Sequence, residues 1–428
     1  MTNIYIETYG CASNQSDSEI MSGLLIRAGF FLVNDIKHAD MVIINTCIVK
    51  TPTEQKIVHR IKEIQKNFPK KRLIIAGCMP QAQYELVKES APSSSLIGPR
   101  AITKITNVVK KVVEGHLVEE LGEGAEKICQ PKSSKNLAVN IIQIAEGCKG
   151  ACSFCITKHA RGSLHSYPED KILKEISSAK SAGCKEFWLT SQDCGCYGFD
   201  NGTNLAELLA KITKGVGGKY FLRVGMLNPL HLKKIYPQLI EVYKDDRIFK
   251  FLHLPVQSGS DKILDKMNRG YSVADFGKMV AAFRKEIPGL QVWTDIIVGF
   301  PGETDEDFAA SYELIKEIQP DFVNVSKYGA RPGTLAAKMQ QVDADIIKER
   351  STKISKLVDE LAIEQNKKWL GWSGIAIVDE FNREKQSWIA RNFAYKPIVI
   401  KTTKKLRLGD IVNVKIVASE RILLGELL

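Results

Sequence analysis

Residues 148–155 read Cys148-Lys149-Gly150-Ala151-Cys152-Ser153-Phe154-Cys155, three cysteines in the spacing C-x3-C-x2-C. Thiolates are the usual ligands of cubane iron-sulfur clusters, and three of them leave one iron free for a small molecule. A structural zinc site is the competing reading. Such sites usually pair C-x2-C halves or mix Cys with His, and no second half stands near this run. The chain around the run sets the fold. It follows a strand-like stretch at 139–144, and similar stretches recur at 186–190, 221–224, 249–254, 292–298 and 322–327 with helical segments between. Six such units predict a partial parallel (β/α)6 barrel, with the cysteine loop at the carboxyl-end mouth where active sites of this architecture lie.

The spacing is similar to the signature of radical S-adenosylmethionine (SAM) enzymes. A SAM molecule needs its amino-acid end, sulfonium, ribose and adenine held by converging polar groups. The other strand ends provide candidates: Ser191, Gln192, Asp193, Arg223, Gln257, Ser258, Asp295 and Gly299. Turn formation or helix capping explains any one of them equally well; Glu303 and Asp307, for example, suit a helix start. Cys184 reads as a core residue, and Cys194 and Cys196 fall in a loop near the mouth.

Upstream, the first hundred residues alternate apolar runs at 4–8, 41–45 and 73–76 with amphipathic stretches, the pattern of a small parallel α/β domain. Each run ends in a cysteine: Tyr9-Gly10-Cys11, Asn45-Thr46-Cys47 and Gly77-Cys78. Ligands of open parallel sheets sit beyond the carboxyl ends of strands, so neighbouring strands would bring Cys11, Cys47 and Cys78 together as a second three-cysteine site. A redox dithiol or a zinc site is the alternative, and a buried cysteine alone is merely a small apolar residue. Asn14, Asp17 and Ser18 offer capping oxygens for the following helix. We take 1–116 as this domain, 117–136 as a linker without periodicity that contains Cys129, and 137–366 as the barrel.

After a charged helical stretch at 343–368 the pattern changes to short strands at 373–379, 387–390, 397–400, 411–418 and 422–427. Five short strands predict a small β-barrel over 367–428, resembling oligonucleotide-binding folds. From residue 366 onward the chain holds twelve Lys/Arg against six Asp/Glu, within a net charge of +11. That balance suits a polyanionic partner. Lys401, Lys404, Lys405 and Arg407 fall between strands, and Trp388, Phe393 and Tyr395 offer stacking faces. The alternative is a structural lid whose aromatics fill its own core. No signal peptide and no apolar run long enough for a bilayer are evident, so a cytoplasmic protein with no membrane association is expected. Ten cysteines in that compartment would be kept reduced.

The order Thr8-Tyr9-Gly10-Cys11, Asn45-Thr46-Cys47, Gly77-Cys78, then Cys148, Cys152 and Cys155, then a basic barrel, resembles the methylthiotransferase family across nearly the whole chain. Leu254-Pro255-Val256-Gln257-Ser258-Gly259-Ser260, residues 294–304 and Arg331-Pro332-Gly333-Thr334 add to the match. The resemblance implies an amino-terminal methylthiotransferase domain, a radical SAM barrel and a terminal TRAM domain. It also implies two 4Fe-4S clusters, on Cys11, Cys47 and Cys78 and on Cys148, Cys152 and Cys155, with SAM at the second set. Lys158-His159-Ala160-Arg161-Gly162, Leu189-Thr190-Ser191-Gln192-Asp193 and Val224-Gly225-Met226-Leu227-Asn228-Pro229 look most like the archaeal and eukaryotic branch. That branch acts on N6-threonylcarbamoyladenosine beside the tRNA anticodon and adds a methylthio group at carbon 2 of the adenine. Gln192 departs from the Glu expected in close relatives and removes a charge near the expected SAM site.

The resemblance further implies that the barrel cluster accepts an electron from a donor and cleaves SAM to a deoxyadenosyl radical, while the amino-terminal cluster carries or donates the sulfur. The partners implied are the anticodon stem-loop and that electron donor, with no stable protein partner. Two other readings stand beside this one: methylthiolation of a ribosomal-protein aspartate, and a non-catalytic RNA-binding iron-sulfur protein.

Overall fold

The three apolar runs near the amino end become the centre of a six-stranded parallel sheet. Its strands are β1 (Asn3–Thr8), β2 (Phe31–Leu32), β3 (Met41–Thr46), β4 (Arg72–Gly77), β5 (Ser95–Ile97) and β6 (Glu119–Glu120), in the order β2-β1-β3-β4-β5-β6. β3 is buried at every position, as expected of a strand covered on both faces. Strand order reverses between β1 and β3, and the crevice beyond that point is where open sheets bind ligands. Cys11 follows β1, Cys47 follows β3 and Cys78 follows β4, so all three thiols border that crevice. The computed structural model describes residues 2–428.

Residues 117–136, read above as a linker, supply β6 and then run as a strap along the central domain. Lys127 and Lys132 on the strap are buried or nearly so, paired with Glu146 at 2.6 Å and with Glu175 at 2.5 Å. The central strands are β7 (Val139–Gln143), the short antiparallel pair β8 (Ala145–Glu146) and β9 (His165–Ser166), then β10 (Glu186–Thr190), β11 (Phe221–Val224), β12 (Phe251–His253), β13 (Gln291–Val298) and β14 (Phe322–Lys327). Two parallel sheets, β11-β10-β7 and β12-β13-β14, join through the parallel bridge between Leu222 and Ile248. The result is the open six-stranded barrel. Even-numbered outward residues such as Leu222, Leu252 and Ile296 pack with helix side chains in one large core.

The open edge at β7 is covered by the helix Ala12–Arg27 of the amino-terminal domain. Ser16 Oγ donates to the Ile141 carbonyl at 3.3 Å, and Gln143 Nε2 donates to Asp17 Oδ1 at 2.9 Å.

At the carboxyl end, the 24-residue helix Ala344–Lys367 leads into a closed barrel. Its strands are β15 (Ser373–Asn382), β16 (Ser387–Asn392), β17 (Pro397–Ile400), β18 (Ile411–Ser419) and β19 (Leu423–Leu427). Alternate residues Ala376, Val378, Ile398, Ile400, Val414 and Ile416 fill it. It docks on the amino ends of the central strands, opposite the cysteine loop. The Lys250 amide donates to the Phe393 carbonyl at 2.8 Å, and β12 covers three residues of the expected 249–254 strand. No helix among the described residues is long and apolar enough to cross a membrane.

Candidate active site

The cysteine loop is held by three hydrogen bonds to the segment 266–268. Ser153 N donates to the Met267 carbonyl at 3.0 Å, Ser153 Oγ to the Lys266 carbonyl at 2.8 Å and Asn268 Nδ2 to the Ala151 carbonyl at 2.8 Å. Arg269, buried beside these, donates from Nη1 to Cys152 Sγ at 3.1 Å and from Nη2 to the Pro255 carbonyl at 3.1 Å. The Gly150 amide donates to Cys148 Sγ at 3.2 Å. Two of the three sulfurs thus accept a hydrogen bond from the protein, as ligating sulfurs do. A Cβ at Gly150 would lie 3.4 Å from Cys148 Sγ and 3.9 Å from Cys152 Sγ, so the backbone comes close to both sulfurs. Three thiols with donors to two of them fit a thiolate-bound cluster.

The second set converges on Asn14. Asn14 Oδ1 stands 3.8 Å from Cys11 Sγ and 3.9 Å from Cys78 Sγ, while its Nδ2 donates to the carbonyls of Tyr9 at 2.9 Å and Thr46 at 2.7 Å. Cys47 completes the group: a Cβ built on Gly10 would lie 2.8 Å from its sulfur. Burial pushes the Cys47 thiol up to about 11 and raises that of Cys78. All three cysteines are free and gathered at one sheet end, as a cluster requires. Asn14, Asp17 and Ser18 are not caps. They lie inside the helix Ala12–Arg27, buried, and Cys11 holds the cap position without a side-chain bond. The reason is tertiary: the helix is wedged between two domains, and its polar face is consumed by Asn45, Gln143 and Arg161.

A cavity of about 650 Å³ opens beside Cys155 and the segment that follows Cys47. Its walls include Lys50 and Pro52 just after Cys47, Cys155 of the cysteine loop, Gln257, Asp295 and Arg331. Lys50 Nζ spans one side by donating to Asn324 Oδ1 at 2.9 Å. Asp295 Oδ1, Tyr328 Oη and Arg331 Nη2 are buried in its wall without a hydrogen-bond partner. Unsatisfied polar atoms of this kind are costly unless a ligand meets them.

The strand-end residues divide. Gln257, at φ +73, and Asp295 line the cavity, and Asp295 Oδ2 pairs with His253 Nε2 at 3.2 Å. Gln192 Oε1 accepts from the Gly147 amide at 2.6 Å, one residue before Cys148. Ser191 Oγ accepts from the Asp193 amide, and Asp193 accepts from the amides of Gly195 and Asn228 while Oδ2 meets His231 Nδ1 at 2.5 Å. Arg223 sits inside the barrel, 5.2 Å from each of the Trp188, Phe251 and Tyr395 ring centres. Ser258 is fully buried against Ser311. Gly299 turns at φ +76 beneath Ile347, and Glu303 pairs with Arg350 at 2.7 Å. Thr304 and Asp307 form a capping box, the helix start read from sequence.

Of the other cysteines, Cys196 lies beside Cys148 and Asp193, their ligand atoms all within 4.8 Å of one another. Cys194 is in the core, Cys184 packs against it partly buried, and Cys129 is exposed with its thiol on the Lys171 carbonyl. Sequence reading passed over Arg269 and Lys127 and treated Arg161 only as a branch marker. The signal was weak: none of the three cations stands at a spacing that marks a partner.

In the terminal barrel, Lys401, Lys404, Lys405 and Arg407 are exposed between β17 and β18. Lys404, Lys405 and Arg407 border a groove of about 580 Å³ with Trp388. The other two aromatics offered for stacking are used otherwise. Tyr395 is 5% exposed and packs on Phe249 and Phe251 of the central barrel, and Phe393 packs on Trp369 and Trp372. Docking takes the face of Tyr395, and the terminal domain's own core takes that of Phe393.

Residues 3–98 match the Uncharacterized protein family UPF0004, and residues 142–315 match the Radical SAM superfamily. Among solved structures, the radical SAM methyltransferase TsrM from Kitasatospora setae is similar at a TM-score of 0.58 and 14% identity, covering 79% of this chain and 75% of that one. The cobalamin-dependent radical enzyme OxsB is similar at 0.53 and 13%, covering 83% and 56%. At such identities only the fold is shared. Probable threonylcarbamoyladenosine tRNA methylthiotransferase from Pyrococcus horikoshii is 41% identical over 433 residues, all of both chains. The Homo sapiens threonylcarbamoyladenosine tRNA methylthiotransferase is 36% identical over 97% of this chain and 72% of its own length. With such identity along its whole length and a radical SAM domain at its centre, the chain belongs to the threonylcarbamoyladenosine tRNA methylthiotransferase family.

Proposed function

We propose that the protein converts N6-threonylcarbamoyladenosine beside the tRNA anticodon to its 2-methylthio derivative. The supporting observation is the cavity beside Cys155 and the segment after Cys47, walled by the polar residues Gln257, Asp295, Tyr328 and Arg331, in a chain whose full-length relatives bear that name. In this reading Cys148, Cys152 and Cys155 hold one 4Fe-4S cluster with SAM at its open iron, and Cys11, Cys47 and Cys78 hold the other. The chemistry supplied by these groups when bound is hydrogen-atom removal by a SAM-derived radical and delivery of sulfur, at an aromatic C–H that no side-chain base can deprotonate.

The protein's own part is placement. Arg269 and the Gly150 amide stabilise the ligating thiolates. Gln257 and Asp295 are assigned to SAM or the base in the cavity, and Gln192 to holding Gly147 at the start of the cysteine loop. Bases in RNA loops unstack readily, and a cavity of this size takes one splayed base. Lys401, Lys404, Lys405 and Arg407 are assigned to tRNA phosphates. An electron donor of low potential is required, and a cytoplasmic location suits a tRNA substrate.

The test is to incubate anaerobically reconstituted, reduced protein with SAM and tRNA bearing the modified base, digest the RNA and weigh its nucleosides. A gain of one methylthio group, abolished in Cys148→Ala and in Cys47→Ala, is the expected result. Formation of deoxyadenosine with an unchanged nucleoside would reject the substrate while keeping the radical chemistry.

A further inference from the structure

Arg161 leaves the cysteine loop of the central barrel and ends inside the amino-terminal thiol pocket. It is 1% exposed. Its Nη2 donates to Asn14 Oδ1 at 2.9 Å and to Asp17 Oδ2 at 2.8 Å, and its Nη1 to Glu146 Oε1 at 3.1 Å. Lys127 of the strap adds a second buried cation, 2.9 Å from Asp17 and 2.6 Å from Glu146. Two cations and two carboxylates offset one another.

The position of Asn14 makes the arginine necessary. Both hydrogens of Asn14 Nδ2 are taken by the Tyr9 and Thr46 carbonyls, so the amide is locked with Oδ1 toward Cys11 and Cys78. That oxygen suits thiols, which can donate to it. It would face anionic sulfurs badly once those cysteines bind iron. A guanidinium donating to the same oxygen offsets its negative end, and charge near a cluster sets its potential.

The short helix that carries Arg161, Thr157–Arg161, touches both thiol sets. Lys158, one turn earlier, donates to the Cys148 carbonyl, while Ile156 and Ala160 pack in the same buried cluster as Cys47 and Cys78.

We propose that Arg161 is a positioning residue for the amino-terminal cluster, supplying from the barrel's own cysteine loop the positive charge that holds that cluster and raises its reduction potential. The proposal rests on the two-cluster reading above. It makes loading of the amino-terminal site dependent on a residue outside its domain.

The test uses full-length protein in which Cys148, Cys152 and Cys155 are replaced by Ala, so that only the amino-terminal cluster is loaded. Iron content and an EPR-monitored redox titration are then compared for this parent and for versions with Arg161→Lys, or with Arg161→Gln and Glu146→Gln together. Glu146 is contacted by Nη1, away from the sulfurs, so the paired change removes the charge at the thiols without leaving a carboxylate unmatched, and a thermal melt checks its fold. The expected result is a parental melt with a potential lower by at least 59 mV, a tenfold loss for one electron, or with iron below half the parent's. Arg161→Lys should stay near the parent in both. Parental iron and potential in the paired variant would overturn the proposal and leave the two-cluster reading standing. A parent that holds no cluster would overturn both.

Discussion

Gly10 shows how one backbone position decides whether a thiol pocket exists. It sits at φ +107, and a Cβ there would lie 2.6 Å from Cys47 Cβ. The dihedral and the overlap together cost about 1–3 kcal/mol, enough to displace the turn that carries Cys11. Gly10→Ala is expected to lose about half the iron of the reconstituted protein while still cleaving SAM to deoxyadenosine, since the barrel thiols lie on a separate loop. An iron assay beside a deoxyadenosine assay checks it, and unchanged iron would refute it. At this scale the gathering of the cysteines was legible from their spacing and their strand-end positions. Asn14 and Asp17 were not, since a polar run after Gly-Cys also reads as a helix start. Their partner Arg161 lies 147 and 144 residues away, where no local rule reaches.

Elements were legible wherever periodicity and burial agree. β10, β11 and β14 begin and end where the apolar runs predict. The helix Ala12–Arg27 hides its role because the first half of its buried face is polar, and β12 covers only the middle of the expected 249–254 strand. Gly299 illustrates the same limit. Its place after β13 suggested SAM contact, yet its amide donates to Glu303 Oε1 at 3.0 Å and a Cβ would overlap Ile347 on the helix Ala344–Lys367. If packing is its role, Gly299→Ala lowers the melting temperature by an amount that Ile347→Ala partly restores. Neighbouring sites couple by about 0.5–3 kcal/mol. Strictly additive melts, with a SAM-binding defect in Gly299→Ala alone, would return the glycine to the SAM site.

Across the whole molecule, the gathered thiols and the exposed basic residues of the terminal domain lie at opposite ends of one barrel. The thiols border the carboxyl ends of the central strands, and the domain with Lys404, Lys405 and Arg407 docks on the amino ends. Replacing those three by Ala should weaken tRNA binding and flatten its log-log salt slope by roughly two. A binding titration at several salt concentrations reads this directly, and an unchanged slope would move the RNA contact elsewhere. The docking itself carries a titration.

Glu186 on β10 and Asp379 on β15 meet in the buried interface, sharing Arg391, whose Nε donates to Asp379 Oδ2 at 2.5 Å. Trp188 Nε1 donates to Glu186 Oε1, and Glu186 Oε2 has no partner. Burial, and after it the charge of Asp379, push the Glu186 carboxyl up to about 8. A folded value above the unfolded one means the native state binds the extra proton between them, so stability falls as pH rises from about 4.5 to about 8. Glu186→Gln keeps the acceptor for Trp188 and cannot ionise. Its melting temperature should match the parent's near pH 5 and exceed it increasingly toward pH 9, where the parent must hold a second buried carboxylate charge. Melts of both proteins across that range decide it: a difference that stays flat with pH would show that Glu186 is already ionised in the folded protein and that Arg391 compensates both carboxylates.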